Sequence, residues 1–177
     1  MNSFFPWLIL LAPLASATVI TLFTLRSKSL SSAISIAAVL VSFCCSCFVF
    51  AQSATSAPEF VWLDLPPVFR VPLGLTLDQL SRTMAIVVSG VGALIHIYSL
   101  GYMRDDEGKS RYFAALSLFM FAMLGIVFAN NFVMLFIFWE LVGFTSYVLI
   151  GHWFFRDAAA AAANKAFITN RVGDLGF

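Results

Sequence analysis

The stretch FIFWELVGFTSYVLIGHWF, residues 136–154, places one formal charge, Glu140, among bulky apolar side chains. The rest of the chain has a similar character: 61% of its 177 residues are hydrophobic and only 11% are charged, and its mean hydropathy is +0.94. A soluble domain of this size leaves a large share of its surface in water, so it could not hide this many apolar side chains. The composition therefore predicts an integral membrane protein surrounded by lipid.

The lengths of the apolar runs give the number of membrane spans, because about 20 apolar residues at about 1.5 Å each cross the hydrocarbon core. The predicted spans are residues 4–25, 30–51, 80–103, 112–129 and 132–153, and a weaker helical segment begins at Ala158. The chain ends inside this sixth segment, so we interpret it as a fragment. The sequence thus predicts an all-α polytopic membrane protein with five transmembrane helices and the start of a sixth.

The connection between the second and third spans, residues 52–79, contains two short alternating segments around Pro66 and Pro67. Alternation over a few residues is typical of strands, and proline restricts strands to edges. We therefore expect a β-hairpin on the outer surface, although an irregular interfacial loop fits the same pattern.

The basic residues predict the orientation. Lysine and arginine follow the first, third and fifth spans, at Arg26, Lys28, Arg104, Lys109, Arg111 and Arg156. The other side carries Arg70 and Arg82. By the positive-inside rule, the odd-numbered connections face the cytoplasm or matrix and the N-terminus lies outside. The first run has no basic residue before it, so we expect it to remain a helix rather than to be removed as a signal peptide.

Several function classes have no support in the sequence. It contains no P-loop, no dinucleotide-binding glycine motif and no H-E-x-x-H motif. A net charge of +1 gives no reason to expect nucleic acid. Cys44, Cys45 and Cys47 share one span with no histidine or carboxylate, so we interpret them as small apolar filling residues. We expect this chain to bind no nucleotide, nucleic acid, metal or cofactor.

The two histidines are weaker candidates than Glu140. A histidine inside a span, such as His96, is a functional candidate by default, but beside Tyr98 and Ser99 a hydrogen bond within the bundle is slightly favoured. His152 lies at the boundary of the fifth span next to Trp153, where an aromatic belt is expected, and we assign it no chemistry.

Glu140 lies near the centre of the fifth predicted span. An acid there disfavours insertion by about 2.5 to 3.5 kcal/mol, and its side chain is too short to reach the interface. We therefore expect it to face a partner or a water-filled cavity. Gly143 and Tyr147 follow on the same helix face, where the glycine admits a neighbouring helix and the tyrosine offers a hydroxyl. The alternative is a neutral carboxyl that only packs helices.

The sixth segment adds three charges that we include among the candidate site residues: Lys165, Arg171 and Asp174. Arg171 and Asp174 are i, i+3 neighbours and can neutralise each other. Lys165 has no carboxylate nearby in its own helix, which suggests a partner on another helix; the alternative is that Lys165 snorkels to the interface.

These residue types suit proton transfer. Burial raises the pKa of a carboxyl group, and a cation within about 4 to 6 Å lowers it by about 1 to 3 units. Glu140 is therefore predicted to hold a proton while its partner is distant and to release it when the partner is near.

From Asp78 onward the sequence resembles chain 5, or subunit L, of NADH:quinone oxidoreductase, which is respiratory complex I. The matching stretches are DQLS at 78–81, LIHIYSLGYMRDDEGKSRYF at 94–113, FWELVGFTSYVLIGHWF at 138–154 and KAFITNRVGDLGF at 165–177. One departure is Leu141, where many members have glycine, although chloroplast-type relatives look similar here. The resemblance implies a longer antiporter-like protein built of inverted repeats with broken helices. Residues 1–79 would be its entry helices and outer loop, and residues 80–177 the truncated start of its proton-translocating module.

The resemblance also implies roles for particular residues. Glu140 matches the family's essential glutamate, whose lysine partner lies on a seventh helix beyond Phe177. Arg171 and Asp174 match an ion pair thought to connect neighbouring antiporter-like subunits. The implied work is proton translocation driven by quinone reduction elsewhere in the complex, with no flavin, iron–sulfur cluster or quinone pocket in this chain. Its partners would be the other membrane subunits, lipid and protons, in a bacterial plasma membrane or an organellar inner or thylakoid membrane.

Two alternative functions remain open at the level of the sequence. The first is a subunit of a multi-subunit cation/proton antiporter, a membrane-bound hydrogenase or a CO2-uptake complex, since these share the membrane glutamate. The second is a non-transporting assembly subunit whose charges only pack helices.

Overall fold

The computed structural model describes residues 4–52, 57–65 and 69–176. Helix α1, Phe5–Val19, continues as a π-helical turn, Ile20–Thr24, before helix α2, Lys28–Phe50. Two antiparallel strands follow, β1 at Phe60–Leu65 and β2 at Phe69–Leu73. The remaining helices are α3 at Gln79–Tyr102, α4 at Lys109–Phe128, α5 at Phe132–Ile150 and α6 at Asp157–Asp174.

Among the described residues, five helical segments are long and apolar enough to cross a membrane, and they coincide with the five predicted spans. The prediction of an all-α polytopic protein with a sixth helix beginning near Ala158 is confirmed. The fifth span ends three residues before its predicted end at Trp153, because the amides of Gly151 and His152 turn back onto the carbonyls of Tyr147 and Leu149. Trp153 therefore lies in the turn that follows α5.

Helix α4 lies at the centre of the bundle and packs against α1, α2, α3 and α5, whereas α6 packs against α5. The faces that meet inside the bundle are rich in serine, and Ser35 of α2 illustrates the reason. Its hydroxyl lies 2.6 Å from the Ser117 hydroxyl of α4, and both side chains are fully buried. Lipid tails are as apolar as leucine, so small polar side chains that allow close approach and hydrogen bonding are typical of the interfaces between membrane helices.

Gly125 sets the closest approach between α4 and α5. A Cβ atom at this position would overlap the ring of Phe138. The Phe138 ring also packs edge-on against Phe121, with 5.2 Å between ring centroids. The absence of a side chain at residue 125 therefore sets the distance between α4 and α5. It also sets the position of Glu140, two residues after Phe138.

The connection between α2 and α3 forms the predicted hairpin. A register shift between Val61 and Leu63 leaves Pro72 opposite Val61, which suits a residue that has no amide to donate. Two hydrogen bonds hold the open end of the hairpin, where β1 begins and β2 ends: Trp7 donates its indole N–H to the Pro58 carbonyl over 3.1 Å, and Asn131 donates to the Pro72 carbonyl over 2.7 Å. Pro66 and Pro67, on which the prediction partly rested, lie outside the described residues.

The α1–α2, α3–α4 and α5–α6 connections lie at one end of the bundle, which we call the basic end. Asp106 of the α3–α4 connection ties two of these connections together. Its carboxylate accepts hydrogen bonds from Trp153 Nε1 at 2.7 Å, His152 Nε2 at 3.3 Å and the Gly108 amide at 2.6 Å. Burial alone would raise the pKa of Asp106, but these hydrogen bonds outweigh it and hold the pKa below its ordinary value.

Replacing Gly125 with alanine is expected to destabilise the protein by about 1 to 3 kcal/mol, the usual cost of overpacking, because the added methyl group meets the Phe138 ring. Gly101 of α3 is the matched control, since a Cβ there has open space around it. The measurement is the apparent melting temperature of each variant in detergent. Equal melting temperatures for Gly125→Ala and Gly101→Ala would contradict the close approach at residue 125.

Asp106→Asn is expected to destabilise the protein by about 1.5 kcal/mol or more at neutral pH, because it weakens hydrogen bonds made to a charged group. A carboxylate whose pKa is lowered on folding stabilises the fold above its unfolded-state pKa, and this contribution is lost as the pH falls through the folded-state pKa. The difference in melting temperature between wild type and variant should therefore shrink in acid. Asp105→Asn, at an exposed neighbour, is the control; a pH-independent difference at residue 106 would contradict the assignment.

Candidate functional site

Glu140 lies near the middle of α5, whose other 18 residues carry no formal charge. The helix begins at a cap in which the Asn131 side chain accepts a hydrogen bond from the Met134 amide over 2.9 Å. The apolar residues of α5 lie on every face of the helix, so the periodicity of its sequence does not show which face is buried. The charge of Glu140 marks the face that meets α6.

Arg171 of α6 is the partner of Glu140. Its Nη1 atom forms an ion pair with Glu140 Oε2 and lies 3.9 Å from Asp174 Oδ2. All three side chains are shielded in part, with Glu140 22% exposed, Arg171 35% and Asp174 15%. The two carboxylates thus share one guanidinium group across the interface between α5 and α6.

Aromatic side chains hold the members of this cluster. Trp139 donates its indole N–H to Asp174 Oδ1 over 2.8 Å. The Arg171 guanidinium lies 4.8 Å above the Phe167 ring, in the geometry of a cation–π contact. The Phe167 ring in turn packs on Tyr147, with 5.4 Å between ring centroids. Asp174 is therefore positioned by a ring from α5, and Arg171 by a ring from its own helix.

Gly143 faces Arg171, as expected from its place one turn after Glu140. A Cβ at residue 143 would lie 3.6 Å from Arg171 Nη2, at ordinary contact distance. The prediction that Glu140, Gly143 and Tyr147 share one face is confirmed, since all three meet residues of α6. The Tyr147 ring, rather than its hydroxyl, makes the contact.

Beside the cluster, a groove of about 680 Å³ opens between α4, α5 and α6. Its lining mixes apolar side chains with polar ones, including Ser146, Thr169, Asn170 and Asp174. A site of this size with several polar groups can hold water. Water there would reach Asp174 and the backbone of Gly143 directly.

Lys165 lies apart from the cluster on an exposed part of α6. Its backbone carbonyl accepts a hydrogen bond from Thr169 Oγ1, but within the described ranges no carboxylate lies at ion-pair distance from its ammonium group. The structure thus brings Glu140, Arg171 and Asp174 together and leaves Lys165 outside. Its expected partner on another helix is not among the residues described.

His96 also lies apart from the cluster, in the interface of α3 with α4. It is fully buried, its Nδ1 atom lies 2.7 Å from the Gly92 carbonyl, and its ring packs on Phe113. The sequence analysis favoured a hydrogen bond within the bundle, and the bond that the structure shows is to a carbonyl of the same helix, α3. Cys45 packs against the core, whereas Cys44 and Cys47 are exposed on α2 and fill no core space. The described part of the chain holds no group of three or more potential metal ligands.

Sequence reasoning missed two features of the site. It paired Arg171 with Asp174 alone and placed the partner of Glu140 beyond the chain, whereas Arg171 contacts both acids. It also gave Trp139 no role, although the indole holds Asp174. The available signal was the position of Trp139 immediately before Glu140, at a depth where an indole N–H needs a polar partner.

Comparison with known proteins gives two family matches. Residues 62–113 match the family described as NADH-Ubiquinone oxidoreductase (complex I), chain 5 N-terminus. Residues 129–177 match the family described as NADH:quinone oxidoreductase/Mrp antiporter, TM. The second match contains Glu140, Arg171 and Asp174.

Similar proteins come from bacteria and chloroplasts. The chain is 39% identical to NADH-quinone oxidoreductase subunit L of Mycobacterium tuberculosis, over 99% of this chain and 29% of the relative. It is 40% identical to chloroplastic NAD(P)H-quinone oxidoreductase subunit 5 of Mesostigma viride, over 97% of this chain and 28% of the relative. Subunit L of Rickettsia typhi is 43% identical, over 96% of this chain and 27% of the relative.

The chain therefore spans less than a third of the length of these relatives. The matches follow the order of the chain from the hairpin to α6, and the apolar helices fit a multi-pass membrane protein. The chain belongs to the family of NADH:quinone oxidoreductase subunit L and chain 5.

Proposed function

We propose that this chain is part of a membrane subunit that moves protons in a NADH:quinone oxidoreductase, and that Glu140 holds the proton. The observation that carries the proposal is the cluster of Glu140, Arg171 and Asp174 across the interface between two helices. Intramembrane charges that meet inside a bundle are a feature of proton relays.

The charge balance of the cluster suits a site that takes up one proton. Arginine stays protonated in proteins, so Arg171 supplies a fixed positive charge. Two ionised carboxylates around it leave one negative charge in a region where uncompensated charge is costly. Binding one proton at Glu140 or Asp174 makes the cluster neutral.

A further cation that approaches the cluster changes its charge balance, and the proton then leaves. A positive group that approaches Glu140 favours its ionised form, and withdrawal of that group favours proton uptake. The lysine implied by the family resemblance, beyond Phe177, would supply such a group. Lys165 is also retained as a candidate, and its exposed position leaves it available to a partner outside the described residues.

The groove between α4, α5 and α6 provides a route for water to the cluster. Its polar residues extend from Ser146 to Asp174, so a chain of water molecules could carry protons to the carboxylate. The route ends at Asp174, one of the two carboxylates that the charge argument selected. The access of water through the groove and the charge balance of the cluster therefore support the same site.

This chain would act together with other subunits. Quinone reduction would take place elsewhere in the complex, with no flavin, iron–sulfur cluster or quinone bound here. Other membrane subunits and the lipid bilayer would be its partners, and the basic end would face the cytoplasm or matrix, with the N-terminus outside. The membrane would be a bacterial plasma membrane or an organellar inner or thylakoid membrane.

A second candidate function is cation/proton exchange, because the description of the family matched by residues 129–177 also names Mrp antiporters. Sodium-dependent proton exchange in vesicles without NADH would favour this function. Co-purification with iron–sulfur subunits and NADH-driven proton uptake would favour the first.

Glu140→Gln is expected to lower NADH-driven proton uptake along this path by about 10²-fold, the lower end of what a positioned acid–base group contributes. The amide keeps the shape of the side chain but cannot exchange a proton. Proton uptake is measured by quenching of a pH-sensitive dye in inverted membrane vesicles. Glu107→Gln, at an exposed loop residue, is the control. Unchanged uptake by Glu140→Gln in an assembled complex would leave the assembly-subunit alternative.

Arg171→Gln is expected to reduce the amount of protein in the membrane, because it leaves two partly shielded carboxylates without their cation; the cost should stay below the about 3 to 5 kcal/mol of a fully buried ion pair. The double variant Arg171→Gln with Asp174→Asn removes one negative charge as well, and should recover much of the lost protein. Quantitative immunoblots of washed membranes give the measurement. A double variant that accumulates no better than Arg171→Gln alone would show that charge balance is not what the cluster requires.

A further inference from the structure

A second groove, of about 450 Å³, lies between α1, α4 and α5, away from the charged cluster. Three helices contribute to its lining, which consists of Leu14, Ala17, Thr18, Thr21, Leu22, Arg111, Ala114, Ala115, Leu118, Phe144, Thr145 and Val148. Arg111 is the one charged residue among them. We refer to this feature as the α1–α4–α5 groove.

The wall of this groove includes three threonines, but it presents an apolar surface to a ligand. Thr18 donates its hydroxyl to the Leu14 carbonyl over 2.9 Å, and Thr21 donates to the Ala17 carbonyl over 2.7 Å. Thr145 likewise donates to the Leu141 carbonyl over 2.8 Å. Because each hydroxyl is bonded to its own helix, the hydrogen-bonding capacity of the wall is used internally. A hydrocarbon ligand fits this lining better than water or a polar solute.

The groove spans one leaflet of the bilayer. On α1 it extends from Leu14, near the middle of the span, to Leu22, and on α4 from Leu118, near the middle, back to Arg111 at the basic end. The wall on α1 includes two residues of the π-helical turn, Thr21 and Leu22. Insertions of this kind are frequent at functional sites. A transmembrane helix of a partner would need a contact surface over both leaflets, whereas an acyl chain needs only one.

Arg111 supplies a positive charge at the mouth of the groove. Its Nη2 atom donates to the His152 carbonyl over 3.3 Å, and its guanidinium lies 5.0 Å from the centre of the Phe154 ring. In the part of the chain that the structure describes, no carboxylate lies within ion-pair distance of Arg111. Asp106, in the connection that precedes α4, accepts its hydrogen bonds from Trp153, His152 and Gly108. The arginine is thus held in place without a directly paired carboxylate among the described residues.

A smaller hollow, of about 250 Å³, lies on the other side of Arg111, between α4, α5 and the first turns of α6. Arg111, Ala115 and Val148 line both the hollow and the groove. Two hollows separated by a ridge of Ala115 and Val148 therefore converge on one cation. A molecule with two apolar tails and an anionic branch point has the same shape.

We infer that the α1–α4–α5 groove binds an anionic glycerophospholipid. One acyl chain occupies the groove, the second lies in the smaller hollow, and the phosphate group is bound by Arg111. The guanidinium group suits this role because its planar donors match phosphate oxygens. Arg26, in the connection before α2, and Lys28, the first residue of α2, add positive charge at the same end of the bundle. The lipid would fill the space between three helices and so connect α1 with α5.

The inference is tested by photolabelling in native membranes that contain the complete protein. The membranes are fused with phosphatidylcholine vesicles that carry a phosphatidylglycerol with a diazirine midway along one acyl chain. Adducts are then mapped by mass spectrometry. We expect them in the peptides that contain residues 14–22 and 114–118, and we expect unlabelled phosphatidylglycerol to compete about fivefold better than phosphatidylcholine, as one basic residue near an anionic lipid predicts.

Variants separate the charge from the shape of the site. Arg111→Gln should lower labelling about fivefold, and Ala115→Phe should abolish it, because a ring on the ridge between the two hollows would obstruct both. Arg104→Gln, at an exposed residue of the same connection, should leave it unchanged. If a variant fails to accumulate, the competition between phosphatidylglycerol and phosphatidylcholine in the wild-type protein still tests the inference.

Three results would overturn the inference. Adducts spread evenly over all lipid-facing helices would indicate only annular lipid. Equal competition by phosphatidylcholine and phosphatidylglycerol would remove the role of the charge. Adducts on another protein chain in place of the groove peptides would mean that a partner subunit covers the groove.

Discussion

The pairing of Glu140 with Arg171 is the interaction on which the arrangement of α5 and α6 depends. Helix α6 is polar for a membrane segment, and Ala163 is the one residue of its described length that is fully buried. Apolar packing alone therefore gives it little reason to lie against α5. The ion pair, the hydrogen bond from Trp139 to Asp174 and the contact of Phe167 with Tyr147 supply that reason. The charge that disfavours insertion of α5 is compensated by the helix that follows it.

Small residues elsewhere in the bundle position the pair of Glu140 and Arg171. Gly125 lets α5 settle on α4, while Ser35 and Ser117 bring α2 close to α4. Close approach at these positions fixes the depth and rotation of α5, because membrane helices associate through packing and hydrogen bonds rather than through a hydrophobic difference from lipid. At the basic end, Asp106 joins the connection before α4 to the connection after α5. Contacts at the centre of the bundle and contacts at its basic end thus both hold α5, and with it the site, in position.

The sequence predicted those features that are set by local rules. Bilayer thickness dictates the length of an apolar run, so the five spans were predicted to within a few residues, and alternation within the connection 52–79 predicted the hairpin. The shared face of Glu140, Gly143 and Tyr147 followed from helical periodicity. The ion pair with Arg171 could not be derived in this way, because it depends on the register between two helices. The inward orientation of the serines on α2 was also hidden, since hydropathy does not separate lipid-facing from protein-facing apolar residues.

The claim that the cluster binds one proton is tested most directly by infrared difference spectroscopy of the working complex. The measurement compares resting and turning-over states and follows the carbonyl stretch that only a protonated carboxyl group shows. We predict a carboxylic-acid band that changes during turnover and is missing in Glu140→Gln. A complex that pumps protons with no such band, or with the band unaltered in Glu140→Gln, would contradict proton binding at Glu140.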